Sequence, residues 1–319
     1  MMKYKILIAD KLGQAGLDRL NQMDDVTYDV LTGLSKEALL STIPAYDAVI
    51  VRSDTTIDAD VIAAGRRLKV VGRAGIGVDN IDVAAATARG VMVMNTPHSN
   101  SVATAEQTLT LMLAASRWTA QAHQSLATGE WARSRFVGTE LHNKTLGVIG
   151  FGYIGRLVAR RAQAFGMKVV AYDPFVPAAI AEEMQATLLP LDDLLAQSDV
   201  ITLHAVVTPE TRGIINAETI AAMKNGVIIV NVARGKLIDE QALANGLQSG
   251  KVAAAGLDVF QEEPPVNSPL IGLPTVVHTP HLGASTKEAQ HNVGIEMVEQ
   301  IAEALRGEAY RNVLNPIAA

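Results

Sequence analysis

The sequence predicts an α/β protein built on doubly wound parallel sheets, and three observations carry the prediction. Short β-branched runs alternate with helix-patterned stretches from one end of the chain to the other. Most of these runs are apolar on both faces rather than alternating, as strands covered by helices on each side of a parallel sheet must be. The helical stretches also have recognisable ends: Gly90, Gly166, Gly250 and Gly307 each follow a periodic stretch, where a left-handed cap favours glycine.

Taken in order, the first strands are expected at residues 5–9, 48–51, 69–71 and 91–94. A break follows at Thr96-Pro97-His98-Ser99-Asn100, and a domain crossover is placed there because ten strands are many for one doubly wound sheet. Residues 101–118 then read as a connecting helix. Further strands are expected at 145–149, 168–172, 200–203, 227–232, 252–257 and 275–278. Ser285-Thr286-Lys287-Glu288 has capping-box spacing and opens a long amphipathic stretch to Arg306, which returns the chain to its first domain. That domain is therefore discontinuous, residues 1–98 with 285–319, and the second spans 99–284. No close internal repeat is visible.

Composition removes several classes of function. The 319 residues include 27 basic and 33 acidic side chains, a formal charge of −6, with 49% hydrophobic and 19% charged. Disorder is excluded by the apolar content, and the negative balance argues against general nucleic-acid binding. The absence of cysteine removes disulfides, thiolate metal sites and cysteine nucleophiles together. The first apolar run, residues 6–9, is too short for a secretory signal, and no window approaches a membrane span. A cytoplasmic protein acting on a small molecule is expected, without membrane or nucleic acid, and no dense ligand spacing suggests a metal.

Gly150-Phe151-Gly152-Tyr153-Ile154-Gly155 follows one strand and opens a helix ending near Phe165. The G-x-G-x-x-G pattern is weak alone and strong in that context. Its first glycine permits the tight turn, the second lets backbone approach a pyrophosphate, and the third allows close helix–sheet packing. The next strand ends in Asp173, 23 positions after Gly150, where a carboxylate accepts both ribose hydroxyls of NAD and repels a 2′-phosphate. Pro174 and Phe175 bring no compensating cation, so NAD is favoured over NADP. Gly75-Ile76-Gly77-Val78 begins like the same motif but lacks the third glycine and the spaced acid; it reads as a backbone loop facing substrate. The whole predicts two Rossmann-like domains, one carrying the dinucleotide.

In open α/β sheets, ligands bind beyond the carboxyl ends of the strands. Three late strands run into polar residues there: one into Arg234-Gly235, one through Asp258 to Glu262-Glu263-Pro264, and one into Pro280-His281-Leu282-Gly283. Arginine can hold a carboxylate bidentately, histidine exchanges a proton near neutral pH, and a carboxylate behind it favours the imidazolium. That set suits alcohol–ketone interconversion beside a nicotinamide.

At these residues the sequence resembles the D-isomer-specific 2-hydroxyacid dehydrogenase family. The carriers span nearly the whole chain: Val51-Arg52-Ser53, Arg73-Ala74-Gly75-Ile76-Gly77-Val78-Asp79-Asn80, Asn95-Thr96-Pro97, the glycine motif, Asn231-Val232-Ala233-Arg234-Gly235, Leu257-Asp258-Val259-Phe260 with Glu263-Pro264, and Pro280-His281-Leu282-Gly283. The resemblance implies that His281 is the acid–base group, Glu263 its carboxylate partner and Arg234 the clamp on substrate carboxylate and carbonyl. It implies that Asp258 meets the nicotinamide amide and that the backbone of Gly75, Ile76, Gly77 and Val78 holds the substrate carboxylate, with Asn100 nearby. Within the family, Arg52 and Arg73, with Arg133 or Arg135 from a neighbouring subunit, imply a phosphorylated 2-hydroxy acid and its 2-keto acid as substrates. Asp54 adds an acid beside that cation set. The segment around Arg133 resembles the family's dimer contact and implies a homodimer. A glyoxylate or hydroxypyruvate reductase would use the same machinery; a nucleotide-sensing relative of the C-terminal-binding co-repressors would share the fold without needing Arg234, Glu263 and His281.

Overall fold

The computed structural model describes residues 3–315, so the outer ends of the expected first domain, residues 1–2 and 316–319, lie outside the described residues. The chain forms two compact units: unit 1, Met1–Asn100 with Ala284–Ala319, and unit 2, Ser101–Gly283.

Unit 1 is built on five parallel strands, β1 (Tyr4–Ile8), β2 (Val26–Val30), β3 (Ala48–Val51), β4 (Val70–Arg73) and β5 (Met92–Asn95), in the order β2-β1-β3-β4-β5. The direction of winding reverses between β1 and β3. Ile6, Leu7, Ile8, Val49 and Val71 are buried because helices cover both faces. One of these helices is the return segment Lys287–Arg306, whose Met297, Val298 and Ile301 are fully buried, each contributing about 1.5–3 kcal/mol. It lies so close to β4 that a Cβ on Gly72 would stand 2.4 Å from Ile301 Cδ1 and Met297 Sδ. A larger residue at 72 would push the helix off the sheet. The helix starts on Thr286, whose hydroxyl accepts from the Ala289 N–H at 3.1 Å, and stops at Gly307 in the left-handed region, φ 76°. Gly90, Gly166 and Gly250 share that conformation.

Unit 2 carries seven parallel strands, β6 (Thr145–Ile149), β7 (Lys168–Tyr172), β8 (Thr187–Leu188), β9 (Val200–Leu203), β10 (Val227–Asn231), β11 (Val252–Leu257) and β12 (Val276–His278), ordered β12-β11-β10-β9-β6-β7-β8. Here the winding reverses between β6 and β9. The helix Ser101–Arg117 packs its Leu111 against Gly256 of β11, and Trp118 at φ 56° ends it.

Two strands, β2 and β8, were not expected from the sequence, and both are sheet edges. β2 carries Thr27 and Asp29 toward a half-exposed environment, and β8 has two residues, so neither shows the continuous apolar run of a central strand.

Candidate active site

In unit 2 the chain leaves β6 into the glycine turn at the point of reversal. Gly150 has φ 91°, and a Cβ there would stand 2.5 Å from the Ala205 N and 2.6 Å from the His204 carbonyl carbon, so only glycine lets the turn lie against the segment after β9. A Cβ on Gly155 would stand 2.3 Å from the Gly150 carbonyl oxygen: this glycine seats the helix Tyr153–Ala164 on its turn. A Cβ on Gly152 would meet nothing within 4 Å. Gly152 is the N-cap of that helix and brings no side-chain cap, so the helix, with Tyr153 and Ile154 in its first turn, starts beside open space suited to an anion. Asp173, directly after β7, accepts the Phe151 N–H on Oδ2 at 2.8 Å and the Phe175 N–H on Oδ1 at 2.9 Å. A carboxylate has about four acceptor positions. Two thus remain for ribose hydroxyls, and the residues present fit an NAD dinucleotide.

The expected acid–base residues, His281 and Glu263, stand after β12 and β11. His281 Nδ1 lies 2.7 Å from Glu263 Oε2, and Glu263 Oε1 accepts the Phe260 N–H at 3.1 Å. Burial tends to raise the Glu263 pKa, but the hydrogen bond and charge of His281, the Phe260 N–H and the charge of Arg234 together hold it below the ordinary carboxylate value. An ionised Glu263 accepts only, so Nδ1 of His281 carries the proton of this bond and Nε2 is left to exchange a proton with a ligand. Both side chains remain somewhat over one-third exposed, which leaves the ring reachable. His204, by contrast, is pushed down to about 3 by burial and stays neutral across the physiological range.

His281 stands at φ 53°, a conformation rare for residues other than glycine, and Asp258 supports it. The Asp258 carbonyl accepts the His281 N–H at 2.8 Å; its carboxylate accepts the N–H groups of Leu282 and Gly283, both at 2.7 Å, and the Thr279 hydroxyl. The side chain is fully buried, and that burial raises its pKa despite these donors. Three of the roughly four acceptor positions of the Asp258 carboxylate thus serve the loop that presents His281.

Arg234 follows β10, and its charge is one of the influences that hold Glu263 below the ordinary carboxylate value. Two residues that the sequence did not single out for this role position it. Buried Asn231 donates to the Arg234 carbonyl at 2.9 Å and accepts the Ala233 N–H at 3.0 Å. A Cβ on Gly235 would overlap the Phe260 carbonyl at 1.9 Å, so this glycine lets the arginine segment lie on the backbone that also binds Glu263. Pairing of a strand-end asparagine with an arginine three positions on was the available signal.

Unit 1 brings Arg52, Arg73 and Asn100 to the lining of one pocket. Asp10 accepts the Arg52 and Thr55 N–H groups, and Asn80 donates to the Arg52 and Thr55 carbonyls at 2.7 and 2.6 Å, fixing the turn that carries Arg52. Gly75, at φ 148°, makes room for Arg73: a Cβ there would stand 1.6 Å from the Arg73 Nη1. Gly75 and Ile76 are tethered through their carbonyls to the Thr96 N–H at 3.0 Å and the Asn95 amide at 2.7 Å, and Gly77 and Val78 continue the same loop. Asp54 is exposed, faces Ser53 and does not line the pocket. In unit 2, Arg133 is exposed, whereas Arg135 is engaged in its own loop, forked onto Glu130 at 2.9 and 3.1 Å and stacked over Phe136. No cluster of potential metal ligands is found among the described residues.

Residues 109–283, nearly all of unit 2, match the family described as D-isomer specific 2-hydroxyacid dehydrogenase, NAD binding domain. The chain belongs to the D-isomer specific 2-hydroxyacid dehydrogenase family, and unit 2 is its NAD-binding domain. It is 52% identical over 312 residues to a D-3-phosphoglycerate dehydrogenase of Methanocaldococcus jannaschii, covering 98% of this chain and 59% of that protein. The chain thus spans less than two-thirds of the length of that relative. Among solved structures, a glyoxylate reductase from Paecilomyes thermophila superposes with a TM-score of 0.90 at 34% identity, covering 98% of this chain and 99% of that one. A D-lactate dehydrogenase from Aquifex aeolicus complexed with NAD and lactic acid gives 0.89 at 27% identity, covering 98% and 100%.

Proposed function

We propose that the chain is an NAD-dependent D-3-phosphoglycerate dehydrogenase, which oxidises 3-phospho-D-glycerate to 3-phosphohydroxypyruvate. The observation that carries the chemistry is the His281–Glu263 pair at 2.7 Å with the charge of Arg234 beside it, in the unit that holds the dinucleotide turn. The similarity to proteins named D-3-phosphoglycerate dehydrogenase supports the substrate, as do Arg52 and Arg73 in one pocket of unit 1.

In the oxidising direction, Nε2 of His281 removes the proton of the 2-hydroxyl, and the Glu263 carboxylate stabilises the imidazolium that results. Arg234 holds the substrate carboxylate and the oxygen that becomes the ketone. Bound NAD supplies the acceptor for the hydride leaving C2. In reduction the imidazolium returns its proton to the ketone oxygen. The loop Gly75, Ile76, Gly77 and Val78 holds the substrate carboxylate through backbone, and the pocket residues Arg52, Arg73 and Asn100 take the phosphorylated end.

The protein acts in the cytoplasm, at the step that opens serine synthesis, as a homodimer. Trp131 and Val137, 76% and 78% exposed on the segment around Arg133, support the dimer as apolar surface suited to a second copy. Reduction of 3-phosphohydroxypyruvate and of hydroxypyruvate at equal concentration, followed by NADH absorbance, tests the substrate. A preference of at least tenfold for the phosphorylated ketoacid is expected; the opposite preference would make the chain a general 2-ketoacid reductase.

A further inference from the structure

The pocket of unit 1 opens at the carboxyl ends of β1, β3 and β4, where the strand order reverses. Open parallel sheets bind ligands at such a reversal. Its lining includes Lys11 from the segment after β1, Arg52 from the segment after β3, Arg73 at the end of β4, and Gln290 from the helix Lys287–Arg306. Three cationic residues line it and no acidic one does, although the chain as a whole carries a charge of −6. The neighbouring acid, Asp10, is buried and turned away onto the backbone of Arg52 and the N–H and hydroxyl of Thr55. Its carboxylate therefore fixes the turn that carries Arg52 and lies outside the pocket lining.

A phosphomonoester carries about −1.5 to −2 charges at pH 7 and three acceptor oxygens. Two guanidinium forks supply planar, directed donors; an ammonium supplies a compact charge with three rotatable donors and can meet the oxygen that the forks leave. We infer that Lys11 is a specificity-determining residue, its ammonium providing the third cationic donor to the phosphate of the substrate. The inference rests on the phosphorylated-substrate function proposed above and adds to it a residue that no motif marks.

The test is ketoacid reduction by the full chain with NADH, comparing wild type, K11M and K11R on 3-phosphohydroxypyruvate and hydroxypyruvate. The quantity read is the ratio of kcat/KM for the phosphorylated over the unphosphorylated substrate. K11M should lower that ratio about 10- to 30-fold, the scale of one lost charge-assisted hydrogen bond, through KM of the phosphorylated ketoacid. K11R, which keeps the charge, should restore it to within about threefold. A wild-type preference for the phosphorylated ketoacid that K11M leaves intact would overturn the role of Lys11 alone. A wild type without that preference would overturn the substrate assignment and this inference together.

Discussion

The glycine turn makes a prediction in which two chemically identical substitutions have opposite consequences. At Gly152 an added methyl meets no protein atom within 4 Å, and φ −68° with ψ −163° is extended backbone open to any residue. Gly152→Ala should therefore leave the thermal midpoint within about 2 °C of wild type, a stability change inside about 0.5 kcal/mol. The methyl would instead occupy the space through which a pyrophosphate approaches the helix N-terminus. Losing one hydrogen bond to a charged group, at about 1.5–3 kcal/mol, weakens NADH binding by about 10- to 150-fold. At Gly155 the methyl would stand 2.3 Å from the Gly150 carbonyl oxygen, about 1 Å inside ordinary contact. Overpacking of this kind costs about 1–3 kcal/mol, and at roughly 2–4 °C per kcal/mol for a unit of this size Gly155→Ala should lower the midpoint by about 2–12 °C. Thermal unfolding without cofactor and NADH fluorescence titration measure the two effects separately. A Gly152→Ala protein that binds NADH like wild type would refute the assignment of that open space to the cofactor.

Other perturbations follow from the same geometry. Glu263→Gln removes the charge behind His281 and should lower kcat at least about 100-fold in steady-state assays while sparing NADH affinity. Asp258→Asn leaves one of the Leu282 and Gly283 N–H groups facing an amide donor; a loss of about 1–3 kcal/mol in urea unfolding, with a fall in kcat, is expected. Arg306 forks onto Asp25 at 2.6 and 2.7 Å, and that hydrogen bond and charge outweigh burial to hold Asp25 below its ordinary pKa. A depressed carboxylate stabilises the fold fully above its unfolded pKa, near 4, and the contribution fades as pH falls through the folded value. Asp25→Asn should cost about 1 kcal/mol at pH 7, and the gap in urea midpoint should shrink on acidification. Asp173→Ala should relax discrimination against NADPH, measured as the ratio of kcat/KM for the two cofactors; an unmoved ratio would remove Asp173 from the ribose site.

Much of this was legible in the chain because the turn chemistry and the apolar pattern agree. The strand before the glycine motif, the helix after it and the position of Asp173 follow from local rules, and the structure places them at Thr145–Ile149, Tyr153–Ala164 and the residue after β7. His281 and Glu263 were legible as strand-end polar residues. Their 2.7 Å contact joins segments 18 residues apart, which spacing alone does not specify. The support that Asp258 gives this loop was hidden for a related reason: sequence shows an acid at a strand end but not that its oxygens turn back onto the next strand's loop. The positioning role of Gly75 was hidden too, since it depends on where the Arg73 guanidinium comes to rest. The pairing of Arg135 with Glu130 was not legible either, because the turn between them is what brings the two within reach.

The most direct test of the central claim is turnover and NADH binding by His281→Asn, since asparagine tolerates the left-handed backbone that residue 281 adopts. Loss of the acid–base group with the dinucleotide turn intact predicts NADH affinity within about twofold of wild type and a fall in ketoacid reduction of at least about 100-fold. Turnover within a few-fold of wild type would contradict the assignment of proton transfer to His281.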